Sequence, residues 1–342
     1  MADKENCLTG ECPPAKDIAD GNLVKLSEGS GGKEMHKLVS EIRKCFFSDS
    51  AWRNTDEDSA SMKFAHGNLL FTTDSYVVTP LFFPGGNIGK LAFCGTVNDL
   101  VVMGAKPLGI SLGLVIEEGF SKHELFEIMR SIGKLSEMYN IPVVTGDTKV
   151  MDKGSVDRII INTSGIGFAE NILDKPCESG DKIIVSGGIG EHGTVLIAKR
   201  FEIETSLETD CKPLIEEMMA IKDLVKKAKD ITRGGMASVL NEIAQKDSVQ
   251  IFIQEESIPI KQEARALTEI LGIDIYSLAC EGRFVCVASN DNALEVVRIL
   301  KGFNCLAEII GEVKEGKGVV VQTRFGKMVL GMPSGNIVPR IC

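Results

Sequence analysis

The sequence has 342 residues, 44% of them hydrophobic and 25% charged, with a net charge of -10 at pH 7 and a mean hydropathy of +0.08. A length beyond the usual limit of one core predicts two domains. No apolar run approaches the ~20 residues of a membrane-spanning helix, and the acidic balance excludes the clustered Lys and Arg of a nucleic-acid binder.

Residues 1–21 are polar and Pro-containing, without the basic and apolar regions of a signal peptide, so they are expected to be a disordered leader on a cytoplasmic protein. The ten cysteines are scattered with no C-x-x-C pair, which speaks against a zinc ribbon or a thioredoxin-like motif. A folded first domain is expected over 22–172. It opens on a Gly/Ser loop, Ser27 to Gly32, followed by Lys33 and apolar residues at helical spacing (Met35, Leu38, Val39, Ile42, Phe46). Gly31, Gly32 and Lys33 could cradle a phosphate at the helix N-terminus, although this is not a Walker A loop, and a flexible turn explains the glycines equally well.

Leu69 to Thr73 reads as a strand delivering Asp74 at its end, and Pro80 to Gly89 as a loop. Leu91 to Met103 reads as a helix closed by Gly104, with Asn98 and Asp99 inside an otherwise apolar run. A carboxylate there is costly to bury without a partner, so Asp99 should meet a cation or a polar cleft. Strands are predicted over Leu108 to Val115 and Ile159 to Phe168. Between them, Ser121 and Glu124 form a capping-box pattern that starts a helix reaching Tyr139. Ile141 to Thr145 is predicted as a strand ending in Gly146, Asp147, Thr148 and Lys149. Asp74, Asp99 and Asp147 are hard oxygen donors that suit Mg2+, and with Lys90 and Lys149 nearby they favour a nucleoside triphosphate.

A second domain is expected over 173–332. Its first strand, Lys182 to Ser186, precedes Gly188 to Gly193, which matches G-x-G-x-x-G and includes Glu191 and His192. A dinucleotide site is not supported, because Phe201 to Asp210 is acidic and polar where the next strand of a βαβ unit should lie. Leu214 to Lys229 reads as a helix of mixed character. Asp230 and Arg233 then stand before Gly234 and Gly235 at a helix start, an arrangement suited to anion binding. Glu281 precedes the strand Phe284 to Ala288, and further strands are predicted over Leu306 to Val313 and Gly318 to Thr323. Residues 333–342, ending in Pro339, Arg340, Ile341 and Cys342, are expected to form a mobile tail with a thiol at its tip.

Six stretches together resemble the HypE family of NiFe-hydrogenase maturation proteins: GSGGK at 29–33, PLFFPGGNIG at 80–89, GTVNDL at 95–100, GDTKV at 146–150, TRGG at 232–235 and the terminal Pro-Arg-Ile-Cys. The resemblance covers roughly residues 22–342. It implies the two-domain α+β fold of the aminoimidazole ribonucleotide synthetase and selenophosphate synthetase superfamily, with a flexible tail, ATP binding and a homodimer. It also implies ATP-dependent dehydration of a carbamoyl group on Cys342 to a thiocyanate, with HypF as carbamoyl donor and the HypC–HypD iron scaffold as cyanide acceptor. On this reading Asp74, Asp99, Asp147 and Asp230 hold Mg2+, while Gly31, Gly32, Lys33, Lys90, Asn98, Gly146, Thr148 and Arg233 contact the nucleotide. Glu281, Lys149 and His192 serve the thiol of Cys342. Glu191 stands where aspartate is expected before His-Gly, and Arg283 where lysine is commoner. Two other readings are a kinase or synthetase acting on a small diffusible substrate, and a non-enzymatic scaffold using Cys342 as a metal ligand.

Overall fold

The computed structural model describes residues 32–43, 51–54, 57–335, 338, 340 and 341. Its first half runs α1 (Lys33–Arg43), β1 (Trp52–Arg53), β2 (Ala60–Phe64), β3 (Gly67–Tyr76), a ribbon of β4 (Phe82–Phe83) and β5 (Gly86–Asn87), α2 (Ile88–Val102), β6 (Lys106–Glu117), α3 (Lys122–Tyr139), β7 (Val143–Met151) and β8 (Ile159–Ala169). The second half runs β9 (Lys182–Val185), α4 (Glu191–Arg200), α5 (Ile215–Ile221), β10 (Val225–Asp230), α6 (Gly235–Asp247), β11 (Gln250–Gln254), α7 (Gln262–Leu271), β12 (Phe284–Ala288), α8 (Asn290–Lys301), β13 (Glu308–Lys314), β14 (Gly318–Thr323) and β15 (Gly326–Val329). Each half builds its own sheet. The first has the order β1-β2-β3-β8-β6-β7, with β6 and β7 parallel and the other pairs antiparallel. The second has the order β10-β12-β9-β13-β11-β14-β15, in which only β11 and β14 pair in parallel.

Helix α2 lies between the sheets. Its run of Leu, Val, Phe and Ala has no polar face for solvent, and every residue except Lys90 and Asp99 is buried. One side packs on β3 and β8, the other on α5 and β10. Asn87 starts it by accepting from the amides of Gly89 and Lys90, a cap typically contributing ~0.5–2 kcal/mol. Ser121 likewise caps α3 through the Glu124 amide; the Glu124 carboxylate turns away to Arg158.

Several sequence expectations are corrected. Pro80 to Gly89 is not plain loop but holds the β4–β5 ribbon and the first two residues of α2. Asp74 lies within β3, since the strand continues to Tyr76 in register with β8. Gly146 to Lys149 lie inside β7, where the parallel register with β6 carries the strand to Met151. The helix expected over Leu214 to Lys229 stops at Ile221, and 225–230 form strand β10. Two lysines of this strand are buried: Lys227 pairs with Asp247 at 2.7 Å, and Lys229 with Glu57, Asp58 and Glu242 at 3.1–3.3 Å. Those partners are distant in sequence, so local pattern could not reveal them. The Gly188–Gly193 turn leads from β9, whose neighbours β12 and β13 are both antiparallel to it, so no dinucleotide-binding βαβ unit exists there.

Candidate functional site

Alternation along β3 points Leu70, Thr72, Asp74 and Tyr76 to one face, toward α2. On α2, Gly95, Thr96 and Asp99 answer them at helical spacing. Thr72 donates to Asp99 Oδ2 at 2.6 Å, and the Tyr76 hydroxyl donates to Asp74 Oδ2 at 3.2 Å. That hydroxyl comes so close to the helix that a Cβ at Gly95 would sit 2.2 Å from it.

The polar end of this contact opens into a cavity of about 520 Å³ between the two halves. Six carboxylates line it: Glu57, Asp58, Asp74, Asp99, Asp230 and Glu281, together with Thr232 and Arg233 from the loop ahead of α6. Burial and mutual repulsion raise the pKa values of four of them. Asp99 and Asp230 are held well above the usual carboxylate range, Asp58 is pushed up to about 6, and Glu281 is raised by burial first and then by Cys211 and Asp230. Asp58 Oδ2, Asp230 Oδ2 and Glu281 Oε1 are buried with no hydrogen-bond partner. Unpartnered carboxylate oxygens facing one cavity fit a hard cation. Among the described residues no three acidic, His or Cys side chains form a protein-only cage. That suits Mg2+, which is usually held by one or two carboxylates together with substrate phosphates.

Of the residues singled out from sequence, Asp74, Asp99, Asp230, Arg233 and Glu281 line this cavity. Gly31 and Cys342 lie outside the described residues. Gly32 sits at the start of α1, with its nitrogen 3.8 Å from where a Cβ on Gly234 would project. It has φ +85, and a Cβ there would fall 2.1 Å from the Pro333 carbonyl oxygen, so the position requires glycine. The Lys33 amide donates to that same oxygen at 3.2 Å. Lys90 does not line the cavity; its Nζ donates to the Gly85 carbonyl at 2.8 Å. Asn98 is turned to the second half instead, accepting from the Leu214 amide at 2.8 Å and donating to the Lys212 carbonyl at 3.1 Å. Gly146, Asp147 and Thr148 border an open groove on β7, and Lys149 pairs with Asp147 there at 3.0 Å with both side chains exposed. In a single copy, then, the β7 residues stand apart from Asp74, Asp99 and Asp230.

His192 also faces elsewhere. Its Nε2 lies 2.9 Å from the Ile341 carbonyl oxygen, which can only accept, so Nε2 carries the proton and Nδ1 accepts from the Thr209 hydroxyl at 2.7 Å. Burial lowers its pKa to about 4, leaving it neutral at pH 7. Glu191 accepts from Lys261 at 2.8 Å and lies 3.6 Å from Arg283, so the two positions that depart from the family pattern meet in one buried ion cluster.

Glu57, Asp58, Thr72 and Tyr76 were missed from the sequence. The acidic stretch Asp56-Glu57-Asp58 just ahead of a strand was the available signal for the first two. Lys229 fixes both carboxylates at the cavity wall, and breaking a buried pair of this kind typically costs ~3–5 kcal/mol.

Residues 56–169 match the family description "AIR synthase related protein, N-terminal domain", and residues 178–324 match "AIR synthase related protein, C-terminal domain". Carbamoyl dehydratase HypE of Rhizobium leguminosarum bv. viciae is 40% identical over 341 residues, covering 95% of this chain and 97% of that protein. The chain belongs to the HypE family. A HypE crystal structure in complex with ATP, 33% identical, superposes with a TM-score of 0.78 over 94% of this chain and 100% of that one. HypE from a HypE–HypF complex is 40% identical, with a TM-score of 0.80 over 86% and 99% of the two chains. HypE proteins thus share the α+β fold described above along nearly their whole length.

Proposed function

We infer that this chain is an ATP-dependent carbamoyl dehydratase of hydrogenase maturation, acting on its own Cys342. The observation that carries this reading is the meeting of two features. Ile341, next to Cys342 in sequence, is buried in the apolar cluster that includes Tyr76, and the Tyr76 side chain lines the cavity with the unpartnered carboxylates. A thiocarbamate on Cys342 keeps a poor leaving group, its amide oxygen. Transfer of the ATP γ-phosphoryl group to that oxygen, with loss of one of the two nitrogen protons, gives a phosphorylated thioimidate and ADP. Loss of the N–H proton to a base then expels phosphate and leaves S–C≡N.

The residues divide this work. Mg2+, when bound, would neutralise charge on the triphosphate, and one or two of Asp74, Asp99 and Asp230 would hold it together with the phosphates. Arg233, which lines the cavity, and the α6 N-terminus, with its anion-favouring dipole, would meet the phosphates. Glu281 is the candidate for the proton, its carboxyl standing in the cavity wall with a free oxygen. Tethering the substrate to the enzyme makes the encounter intramolecular. HypF as carbamoyl donor, HypC–HypD as cyanide acceptor and a cytoplasmic setting complete the proposal; among the described residues no helix is long and apolar enough to cross a membrane. The direct test is the mass of the C-terminal peptide after incubation with a carbamoyl donor and Mg·ATP. Loss of one water from the carbamoylated Cys342 peptide is expected, only when ATP is present. A carbamoylated peptide that persists with ATP would overturn the assignment.

A homodimer belongs to the same proposal. The first sheet leaves Phe71, Leu108, Val144, Val150 and Ile166 exposed, and edge strand β7 is exposed throughout. Apolar surface of this kind marks an interface. Asp147 and Lys149, remote from the cavity in one copy, would lie in that interface and could serve the nucleotide across it. Val144→Lys should then yield a folded monomer with lost dehydratase activity; sedimentation of the unaltered protein as an active monomer would remove this reading.

A further inference from the structure

The contacts that hold the final residues are made by side chains which the reaction itself does not use. The Arg340 carbonyl oxygen accepts from the Thr79 amide at 3.2 Å and from Arg200 Nη2, while Arg200 Nε donates to the Thr79 carbonyl at 2.6 Å. One guanidinium thereby ties the tail backbone to the strand-end backbone with its fixed fork of donors. The next carbonyl, that of Ile341, accepts from His192. The Arg340 side chain pairs with Asp157 in the turn ahead of β8. The Ile341 side chain is buried against α4, where Gly193 leaves room for it: a Cβ at 193 would lie 3.2 Å from Ile341 Cδ1.

We propose that Arg200, His192 and Asp157 are positioning residues that form a latch for the tail, gripping two successive backbone carbonyls and the Arg340 charge so that Cys342 is presented from a fixed point. The role of presentation rests on the dehydratase reading above; the latch itself does not. The grip is mainly on backbone, which any tail sequence offers, and specificity comes from the two side chains: Arg340 needs the carboxylate of Asp157, and Ile341 needs the space over Gly193. Thr209 contributes by accepting nothing from His192. Its hydroxyl donates to Nδ1, which keeps the proton on Nε2, where the tail carbonyl requires it.

The latch is tested by site-resolved thiol labelling of the full chain, following Cys342 by mass spectrometry with exposed Cys305 as the internal reference. Opening of the latch controls labelling when closing is fast. Arg200→Lys, which cannot reproduce the fork, and His192→Leu, which strands a buried carbonyl, should each speed Cys342 labelling ~10-fold or more relative to Cys305. Asp157→Asn should speed it only about twofold, since the Arg340 pair is half-exposed. His192→Gln, whose amide can still donate to Ile341, should stay within about twofold of the unaltered protein, a rescue that a merely space-filling role would not give. ATP affinity should be unchanged in all four. Unaltered labelling in Arg200→Lys, or equal acceleration in His192→Gln and His192→Leu, would overturn the proposal. Arg200 is only half-buried and lysine keeps its charge, so this variant keeps the test valid if His192→Leu does not fold. No carbamoyl donor or ATP turnover enters the measurement. Labelling that responds in a protein that forms no thiocyanate would support the latch and remove the dehydratase reading, and normal dehydration with unresponsive labelling would remove the latch alone.

Discussion

Glu281→Gln is expected to bind Mg·ATP and accept the carbamoyl group while forming thiocyanate ~10²- to 10⁴-fold more slowly, the usual cost of losing a general base. The substitution is well isolated. The contacts that hold residue 281 in place are made by its backbone: the amide donates to Asp210 Oδ1 at 3.2 Å, and the carbonyl accepts from the Lys212 amide and from Asn98 Nδ2, both at 3.4 Å. Glutamine preserves these and the side-chain volume, so the fold and the nucleotide site should survive. Because burial and nearby carboxylates raise the Glu281 pKa, the unaltered enzyme should gain rate as pH rises and this carboxyl loses its proton, then level off. The residual rate of Glu281→Gln should lack that rise. Dehydration at the normal rate in the variant, measured in single turnover on a carbamoylated tail, would move the proton to another group, with Lys149 the next candidate.

Asp99→Asn should lower Mg·ATP affinity ~10- to 100-fold, as expected for losing one charged contact to a cation, and should at the same time make the empty protein more stable. The second effect follows from the crowding of carboxylates. A carboxyl whose folded-state pKa lies above its unfolded value binds protons more tightly when folded, so the associated stability is present at low pH and is lost as pH rises through the folded-state value. For Asp58 the window runs from its ordinary 3.8 up to about 6. Asp99 is shifted in the same direction by burial, Asp74 and Asp230. Asparagine cannot ionise, yet its oxygen can still accept from the Thr72 hydroxyl. Thermal melts of the ligand-free proteins should therefore show Asp99→Asn melting above the unaltered protein at pH 7 and level with it near pH 4. With saturating Mg·ATP the order should reverse. Equal affinity for Mg·ATP, or a variant that melts lower at pH 7 without ligand, would contradict the placement of Asp99 among unneutralised charges.

Elements with a strong local signature were legible in the sequence. The capping pattern at Ser121 and the apolar run of α2 fix their helices through short-range physics, and the acidic segment after Phe201 correctly argued against a dinucleotide fold. Asp99 could be picked out because a carboxylate inside an apolar run needs a reason, and Asp74 because it follows a short apolar strand. Long-range pairing was not legible. Strand β10 looked helical because the carboxylates that bury Lys227 and Lys229 come from residues 57, 58, 242 and 247. β7 looked finished at Thr145 because its continuation is polar and exposed, with only the register against β6 to extend it. His192 was placed in the reaction by the resemblance; its deep burial and the Ile341 carbonyl it serves depend on a segment about 150 residues away.

The placement of α2 bears on the order in which the chain must fold during synthesis. Phe93, Val97 and Val101 share a core with Ala228, Phe284 and Cys286, while Leu91 and Ala92 pack with Ile161 of the first sheet. When the first sheet is complete on the ribosome, the strands that cover the other flank of this helix have not been made. At ~5–20 residues per second the wait for Phe284 lasts roughly 6 to 23 seconds, during which a stripe of Phe and Val stays in water. For that interval the nascent first half offers an apolar stripe that a chaperone recognising such segments would bind, until β10 and β12 close over the helix.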